Sequence, residues 1–436
     1  MVQRRRILVI AEQANPEWVS VPLIGWSLAR ALAAVAEVHL VTHSRNRAAI
    51  LRAGLREDRD FTAVDSDAVA APLWRLAERL RGGEGKGFTI LQAAGALSYP
   101  WFERLVWRRL GARIRAGEWD LVHRITPLSP TASGPLAALC HRAGVPFVIG
   151  PLNGGVPWPA AFAGARRQER EWLVPLRGLY RLMPGRRRML ARTAAILAGS
   201  RHTQSELPAA LRDRVFWLPE NAVDPARFPP RPSPGGTEVL RACFIGRMVP
   251  YKGPDMLIEA AAPLIAAGRM QLEMIGDGPL LPALREQAAG LGLGAGLVFH
   301  GWVAHERVQE VAGACTVLAF PSIREFGGGV VLEAMAMGLA PVVVDYAGPG
   351  ELVDDATGWK IAPGDRPAIV ADLRATLARL ADDPAAVAAR GAAARARVLR
   401  HFTWERKAAQ LLQVHDWVLG RGPHPDLFDR EKEEAA

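Results

Sequence analysis

The chain has 436 residues, more than one hydrophobic core usually holds, so two domains are expected. Half of its residues are hydrophobic and only 22% are charged, which excludes an intrinsically disordered protein. A net charge of +10 asks for an anionic partner, whether nucleic acid, a membrane surface or a small molecule, although part of the arginine excess fits a GC-rich genome. Cys140, Cys243 and Cys315 are odd in number and far apart in sequence. They offer neither a zinc spacing nor a disulfide framework, so a reducing, cytoplasmic setting is expected. Arg4 to Arg6 lead straight into an apolar run, so no signal peptide is expected, and no apolar stretch reaches the roughly 18 residues that span a bilayer.

In chain order, the first half alternates short apolar runs with helical patterns. Strands are expected at Ile7–Ala11, Val38–Thr42, Leu121–Ile125, Pro146–Ile149, Ala195–Ala198 and Val215–Leu218, with helices at Gly25–Val35, Thr131–Ala143 and Pro184–Arg192. Such alternation predicts a parallel sheet with right-handed crossovers. The proline- and glycine-rich run from Phe228 to Gly236 is the expected linker. A second alternation follows, with strands at Leu240–Ile245, Leu272–Ile275, Leu297–Phe299, Cys315–Phe320, Pro341–Val344 and Gly358–Ile361. Beyond Pro384 the pattern is helical, and Leu411, Leu412, Val414, Trp417 and Val418 form one face of a last helix that Thr403 would cap.

The densest chemistry lies between Phe320 and Asp345. An apolar strand ends at Phe320, three glycines (Gly327, Gly328, Gly329) follow, and a helical pattern runs from about Val330 to Met337. Gly338 stands where a helix end takes a left-handed residue. A glycine loop feeding a helix offers free N–H groups to an anion. Glu325 and Glu333 flank that loop, and carboxylates repel phosphate, so these acids should face hydroxyl groups while cations come from elsewhere. Phosphate together with hydroxyls describes a nucleotide sugar. The cations are at hand in Gly246-Arg247-Met-Val-Pro-Tyr-Lys252-Gly253, where arginine supplies a planar fork and lysine a point charge. Two further strand ends, Gly276-Asp-Gly278-Pro279 and His300-Gly301-Trp302-Val303, read either as plain turns or as ligand loops.

Taken together and in this order, these elements, followed by Gly348-Pro-Gly350-Glu351, resemble the donor half of a retaining family 4 glycosyltransferase (glycosyl transferases group 1). The resemblance covers roughly residues 1–420 and is strongest over 240–362. It implies an α/β protein of GT-B architecture: two Rossmann-like domains facing across a cleft, with a C-terminal helix returning to the first. Residues 1–220 with a helix at about 403–420 would form the acceptor side, 221–402 the donor side, and 421–436 a disordered tail. By resemblance, the catalytic set is Arg247 and Lys252, which neutralise the donor diphosphate, and Glu325 beside the donor sugar. Glu333 would hold the ribose, the Phe326 to Gly329 segment would present amides, and Gly301, Trp302 and Val303 would border the base.

On the other side, Gly25 stands where the family has a glycine-rich loop, but without the usual second glycine. In Asp120-Leu-Val-His123-Arg124-Ile125-Thr126-Pro127, Ile125 replaces the second histidine of a family motif, which leaves His123, Arg124 or Thr126 as substitutes. His123, Asn153 and Gly154 are the acceptor-side candidates; for the last two a structural turn is the competing reading. The implied reaction moves a sugar from a nucleoside diphosphate, UDP before GDP, to a glycan, lipid-linked or small-molecule acceptor with retention, through same-face attack rather than a covalent Glu325 intermediate. Neither cofactor nor metal is implied; Asp65-Ser-Asp67 has the Asp-x-Asp pattern of metal-using transferases but no glycine-rich nucleotide loop beside it.

Trp101 to Arg115 reads as a basic amphipathic helix, and Arg181, Arg186, Arg187, Arg188 and Arg192 form a second basic cluster. An anionic membrane surface is one candidate partner, and a solvated face over a core helix is the alternative. Two rivals stand beside the transferase reading: another GT-B enzyme such as a nucleotide-sugar epimerase, and a nucleic-acid binder, for which Trp101 and Trp107 are the sole aromatic signal.

Overall fold

The computed structural model describes residues 4–80, 88–154, 156–162, 184–229 and 239–428. The chain divides into two compact units. The first comprises Met1–Gly155, Arg166–Glu220 and Trp404–Ala436; the second comprises Val156–Ala165 and Asn221–Thr403.

The first unit is built on a parallel sheet of β1 (Arg6–Ala11), β2 (Glu37–His43), β3 (Phe61–Val64), β4 (Leu121–Thr126), β5 (Phe147–Leu152), β6 (Ala195–Ala198) and β7 (Val215–Trp217). Their spatial order is β3-β2-β1-β4-β5-β6-β7. The strands are near-continuous apolar runs because helices cover both faces. Ile7 and Val9 pack toward the helix Trp404–Val418 through Leu411 and Val414. Leu8 and Ile10 pack on the opposite side against Phe102, Val106, Leu110 and Ile114 of the helix Phe88–Arg115.

The structure alters several expectations here. β3 was not expected, since Phe61–Val64 is too short to stand out by pattern alone. The helix expected from Thr131 begins only at Leu136. Gly134 and Pro135 delay it: the residue before a proline avoids the α region, and a side chain at 134 would collide with the Glu103 carboxylate. The helix expected over Gly25–Val35 already starts at Val21. The tail after Arg421 is not loose as far as Phe428: Gln410 Nε2 donates to the Leu427 carbonyl at 2.8 Å, and Phe428 lies 4.6 Å from the Trp217 ring. Of the expected linker, residues 230–236 lie outside the described residues, while Phe228 is buried and its carbonyl accepts from Arg395 at 3.1 Å.

The second unit holds β8 (Leu240–Ile245), β9 (Met270–Ile275), β10 (Leu297–Gly301), β11 (Val317–Phe320), β12 (Ala340–Val344) and β13 (Trp359–Ile361), all parallel, in the order β10-β9-β8-β11-β12-β13. The chain reverses its direction of travel across this sheet between β8 and β11. In open parallel sheets such a switch point leaves a crevice at the carboxyl ends of the two strands, because their crossovers depart to opposite faces. The loops after β8 and β11 carry Arg247, Lys252 and Glu325. Among the described residues no helix is long and apolar enough to cross a membrane.

Candidate active site

The site grows from the end of β8. Gly246 has φ +157, and a side chain there would press on Lys252 and Phe320. Gly276, at φ +133 after β9, comes so close to Gly246 that a Cβ would strike the Gly246 carbonyl oxygen, so only glycine fits. Backbone bonds then tie three loops in series: Gly246 N–H to Ile275 O at 3.0 Å, Met248 N–H to Asp277 O at 2.9 Å, and Gly276 N–H to Gly301 O at 2.9 Å. After a single turn, Pro250–Lys252, Gly253 takes a left-handed conformation (φ +68) and starts the helix Pro254–Ala266.

From the end of β11, Ile323 N–H and Ser322 Oγ both donate to the Tyr251 carbonyl, at 2.9 and 3.2 Å. This places Glu325 opposite Lys252, whose Nζ donates to Glu325 Oε2 at 2.8 Å and sits 5.1 Å from the Phe320 ring centre. Burial acts against the Lys252 charge, but the Glu325 carboxylate outweighs it and lifts the ammonium above its ordinary range, with nearby Arg247 opposing. Lys252 is therefore a cation at neutral pH. Arg247 is exposed.

Gly328, at φ +58, caps the start of the helix Gly329–Ala336, and Gly327 and Gly328 are buried. Gly348 lets a neighbouring segment touch the Phe326 carbonyl, since a Cβ there would overlap it. The helix carries Glu333 half-exposed, one turn past its first residue. Its first N–H groups have no partner within the helix and form a positive end four residues after Glu325 in sequence. Gly338 follows at φ +85, the left-handed terminus read from the sequence. Gly301 has φ +64, Trp302 is 76% exposed and Val303 is half-buried. His300, just before them, pairs with Glu273 at 2.6 Å.

In the first unit the candidates are placed differently. His123 is fully buried, with Nε2 donating to the Gly150 carbonyl at 2.8 Å and Nδ1 facing His415 Nε2 at 3.1 Å. Burial drives its pKa down to about 4, with the Gly150 bond opposing. The other two substitutes are no more available. Arg124 lies 3.5 Å from Glu103 inside the core, and Thr126 Oγ1 donates to Gln13 O at 3.1 Å and accepts from Gln13 N–H at 3.0 Å. All three sit on a central strand covered on both faces, which overrides the reading of His123 as an open acceptor-side group. Ile125 is likewise fully buried.

Asn153 is also committed. Its Nδ2 reaches both Glu220 oxygens at 2.8 Å, its Oδ1 accepts from Gly154 N–H at 2.8 Å, and the Gly154 carbonyl accepts from Thr203 Oγ1 at 3.1 Å. These bonds build a turn. Gly25 is not in a loop at all. It lies buried in the helix Val21–Val35, and a side chain there would collide with the Gln13 carbonyl oxygen. Asp65 and Asp67 come together with His43, their ligand atoms within 4.8 Å of one another, though Asp65 Oδ1 already accepts from Asp67 N–H at 2.8 Å.

The basic segments are corrected in part. Phe102, Val106, Leu110 and Ile114 form the buried stripe of the helix Phe88–Arg115, and Trp107 is occupied by Arg115 at 5.4 Å. Arg186 is buried, with Nε donating to Pro130 O at 3.4 Å, and Arg192 bonds His141 at 2.8 Å; Arg181 lies outside the described residues.

Sequence reasoning missed Arg324, which is buried with its guanidinium 5.0 Å from the Trp158 ring and 5.2 Å from the Phe326 ring. The one local signal was Trp158 between Pro157 and Pro159, which gives no hint of its partner.

Residues 240–379 match the family model for glycosyl transferases group 1. The 2-deoxystreptamine glucosyltransferase of Streptomyces kanamyceticus is 30% identical over 371 residues, which cover 80% of this chain and 88% of that protein. Two solved structures share the fold, each with a TM-score of 0.60. HepE of Anabaena, solved in complex with UDP, is 16% identical over 94% of this chain and all of its own. The sucrose-phosphate synthase of Thermosynechococcus elongatus is 18% identical over 96% of this chain and all of its own. With two parallel α/β sheets and this likeness over most of its length, the chain belongs to the glycosyl transferases group 1 and is a glycosyltransferase of GT-B architecture.

Proposed function

We propose that this transferase takes its sugar from a nucleoside diphosphate, UDP in preference to GDP, and passes it to an acceptor with retention at the anomeric carbon. The observation that carries the reading is the Lys252–Glu325 pair at the switch point, with Arg247 exposed on one adjoining loop and a helix N-terminus on the other. Bond breaking leaves negative charge on the departing diphosphate. Lys252, Arg247 and the amides of Phe326 to Gly329 are fixed cationic and dipolar groups suited to that charge. Glu325, held by Lys252, would accept from sugar hydroxyls, and Glu333 from the ribose. Gly301, Trp302 and Val303 would border the base. Attack from the leaving-group face lets the departing phosphate oxygen take the acceptor proton, so no protein nucleophile is required.

Two names among the relatives agree with such donors: HepE was solved with UDP, and a mannosyltransferase of Corynebacterium glutamicum, 31% identical over 225 residues, is described as GDP-mannose-dependent. In this reading 221–402 is the donor side and 1–220 with the last helix the acceptor side. A glycan, lipid-linked or small-molecule acceptor in bacterial polysaccharide or glycolipid synthesis, at the cytoplasmic face of a membrane, fits the net charge of +10. Leu97, Arg104 and Arg108 are exposed at helical spacing, a face that would suit anionic lipid. Flotation with anionic but not neutral liposomes is the expected outcome.

A thermal-shift screen across UDP- and GDP-sugars tests the donor. A true donor at one hundred times its Kd adds about 2.7 kcal/mol, or roughly 5–10 °C. No shift with any of them would refute the reading. Because cations do the work assigned to a metal elsewhere, turnover should persist in excess EDTA; loss restored by Mg²⁺ or Mn²⁺ would direct attention to His43, Asp65 and Asp67.

A further inference from the structure

A short stretch, Val156–Pro159, belongs to the second unit although it follows the first unit's β5 in sequence. It touches three separate loops of that unit. Arg324 Nε donates to the Val156 carbonyl at 3.3 Å. Tyr346 Oη, just after β12, donates to the Pro157 carbonyl at 2.9 Å. Trp158, only 8% exposed, stands edge-to-face on Tyr251 at 6.0 Å and covers the Arg324 guanidinium at 5.0 Å. The same guanidinium also lies 5.2 Å from the Phe326 ring.

Tyr251 precedes Lys252, while Arg324 and Phe326 flank Glu325. Two of the three side chains that meet the stretch, Tyr251 and Arg324, thus stand next in sequence to Lys252 and Glu325, and the third, Tyr346, ties it to the loop after β12. A guanidinium close to two aromatic rings and donating from its Nε–H to a backbone carbonyl is restricted in orientation. Fixing Arg324 fixes the backbone on either side of Glu325, and fixing Tyr251 does the same for Lys252.

We propose that Val156–Pro159 is a clasp, and that Trp158 and Arg324 are positioning residues that hold Lys252, Glu325 and the Phe326–Gly328 amides in register for sugar transfer. The proposal rests on the donor-site reading above. Its physical basis is that a displacement of about 1 Å in such groups costs on the order of 100-fold in rate while ground-state binding changes much less. The guanidinium is not itself expected to touch the donor.

The test uses the full chain and whichever of UDP-glucose, UDP-N-acetylglucosamine, UDP-galactose and GDP-mannose stabilises it most. Release of nucleotide in the absence of acceptor gives kcat and KM, and titration with free nucleotide gives Kd. Trp158→Ala and Arg324→Ala should lower kcat about 10- to 100-fold with nucleotide Kd within about threefold. Trp158→Phe, which keeps an aromatic face, should recover most of that loss, and Tyr346→Phe, a mild change, should give a smaller kcat defect in the same direction. Wild-type kcat for Trp158→Ala, or equal losses in Trp158→Phe and Trp158→Ala, would overturn the clasp, as would a fall in kcat matched by a fall in nucleotide affinity. Lys252→Ala separates the two readings: if it binds and turns over like the parent, the donor site is wrong; if it is inactive while Trp158→Ala is normal, only the clasp is wrong.

Discussion

Lys252 and Glu325 are 73 residues apart in sequence, yet their side chains meet at 2.8 Å where two crossovers part. Each is about one-fifth exposed or less, so the pair is shielded from bulk water on most sides and still open to a ligand. Neither charge is neutralised by chance. The loop bonds from Ile323 and Ser322 to the Tyr251 carbonyl hold together the two loops that carry the pair.

Replacing Lys252 by alanine should lower turnover by about 100- to 1,000-fold, the scale for loss of one preorganised charge-stabilising group. Glu325→Gln should also lose turnover, since it leaves Lys252 without its counter-charge. Steady-state rates with the best-stabilising nucleotide sugar decide the matter, and near-parental turnover in Lys252→Ala removes that residue from the site.

Arg247 is exposed, so its removal should scarcely touch folding. Arg247→Ala is expected to weaken nucleotide binding about tenfold, the worth of one charge-assisted contact, while its melting temperature stays within about 2 °C. Calorimetric titration with UDP alongside a melting curve measures both. A large drop in melting temperature with unchanged affinity would make Arg247 structural.

Gly25 separates a packing role from a phosphate-facing one. A methyl group there collides with the Gln13 carbonyl, and overpacking of this kind costs about 1–3 kcal/mol. Gly25→Ala should therefore lower the unfolding midpoint of the first unit and leave nucleotide affinity nearly unchanged. Normal stability with weakened nucleotide binding would restore the loop reading.

Buried histidines give the protein an acid-labile interior. Burial lowers the pKa of His39 and His123 to about 4 and that of His415 well below its ordinary value, with Arg113 assisting at His39 and His123 at His415. An unfolded histidine titrates near 6.5, so between these values the unfolded chain binds protons that the folded chain refuses. Stability is full above about pH 6.5 and falls as the pH drops toward 4, by on the order of 3 kcal/mol for His123. Urea midpoints measured between pH 7 and pH 4.5 should decline steadily, and a flat profile would contradict the burial of these rings.

Much of the second unit was legible in sequence because its signals are local. Apolar runs, the glycines Gly246, Gly276, Gly301 and Gly327 at or after the ends of β8 to β11, and a left-handed Gly338 follow from rules acting over a few residues. The glycine loop between Glu325 and Glu333 was readable for the same reason, as was the order of motifs that placed the chain in its family. The first unit was less legible at the level of single side chains. His123, Arg124 and Asn153 look like free polar groups in a linear text, and in the folded chain each is used up by a distant partner: His415, Glu103 and Glu220.

By itself, then, the sequence determined most of the strands though not β3, several of the turns that need glycine, and which residue types could meet a nucleotide sugar. Tertiary structure alone decided which of those residues stay available. It put Lys252 against Glu325 at the switch point, withdrew His123 into a covered sheet, and laid Trp158 on Arg324. Pairing across tens or hundreds of residues depends on strand order and crossover direction, and those are properties of the whole packed sheet rather than of any window of the chain.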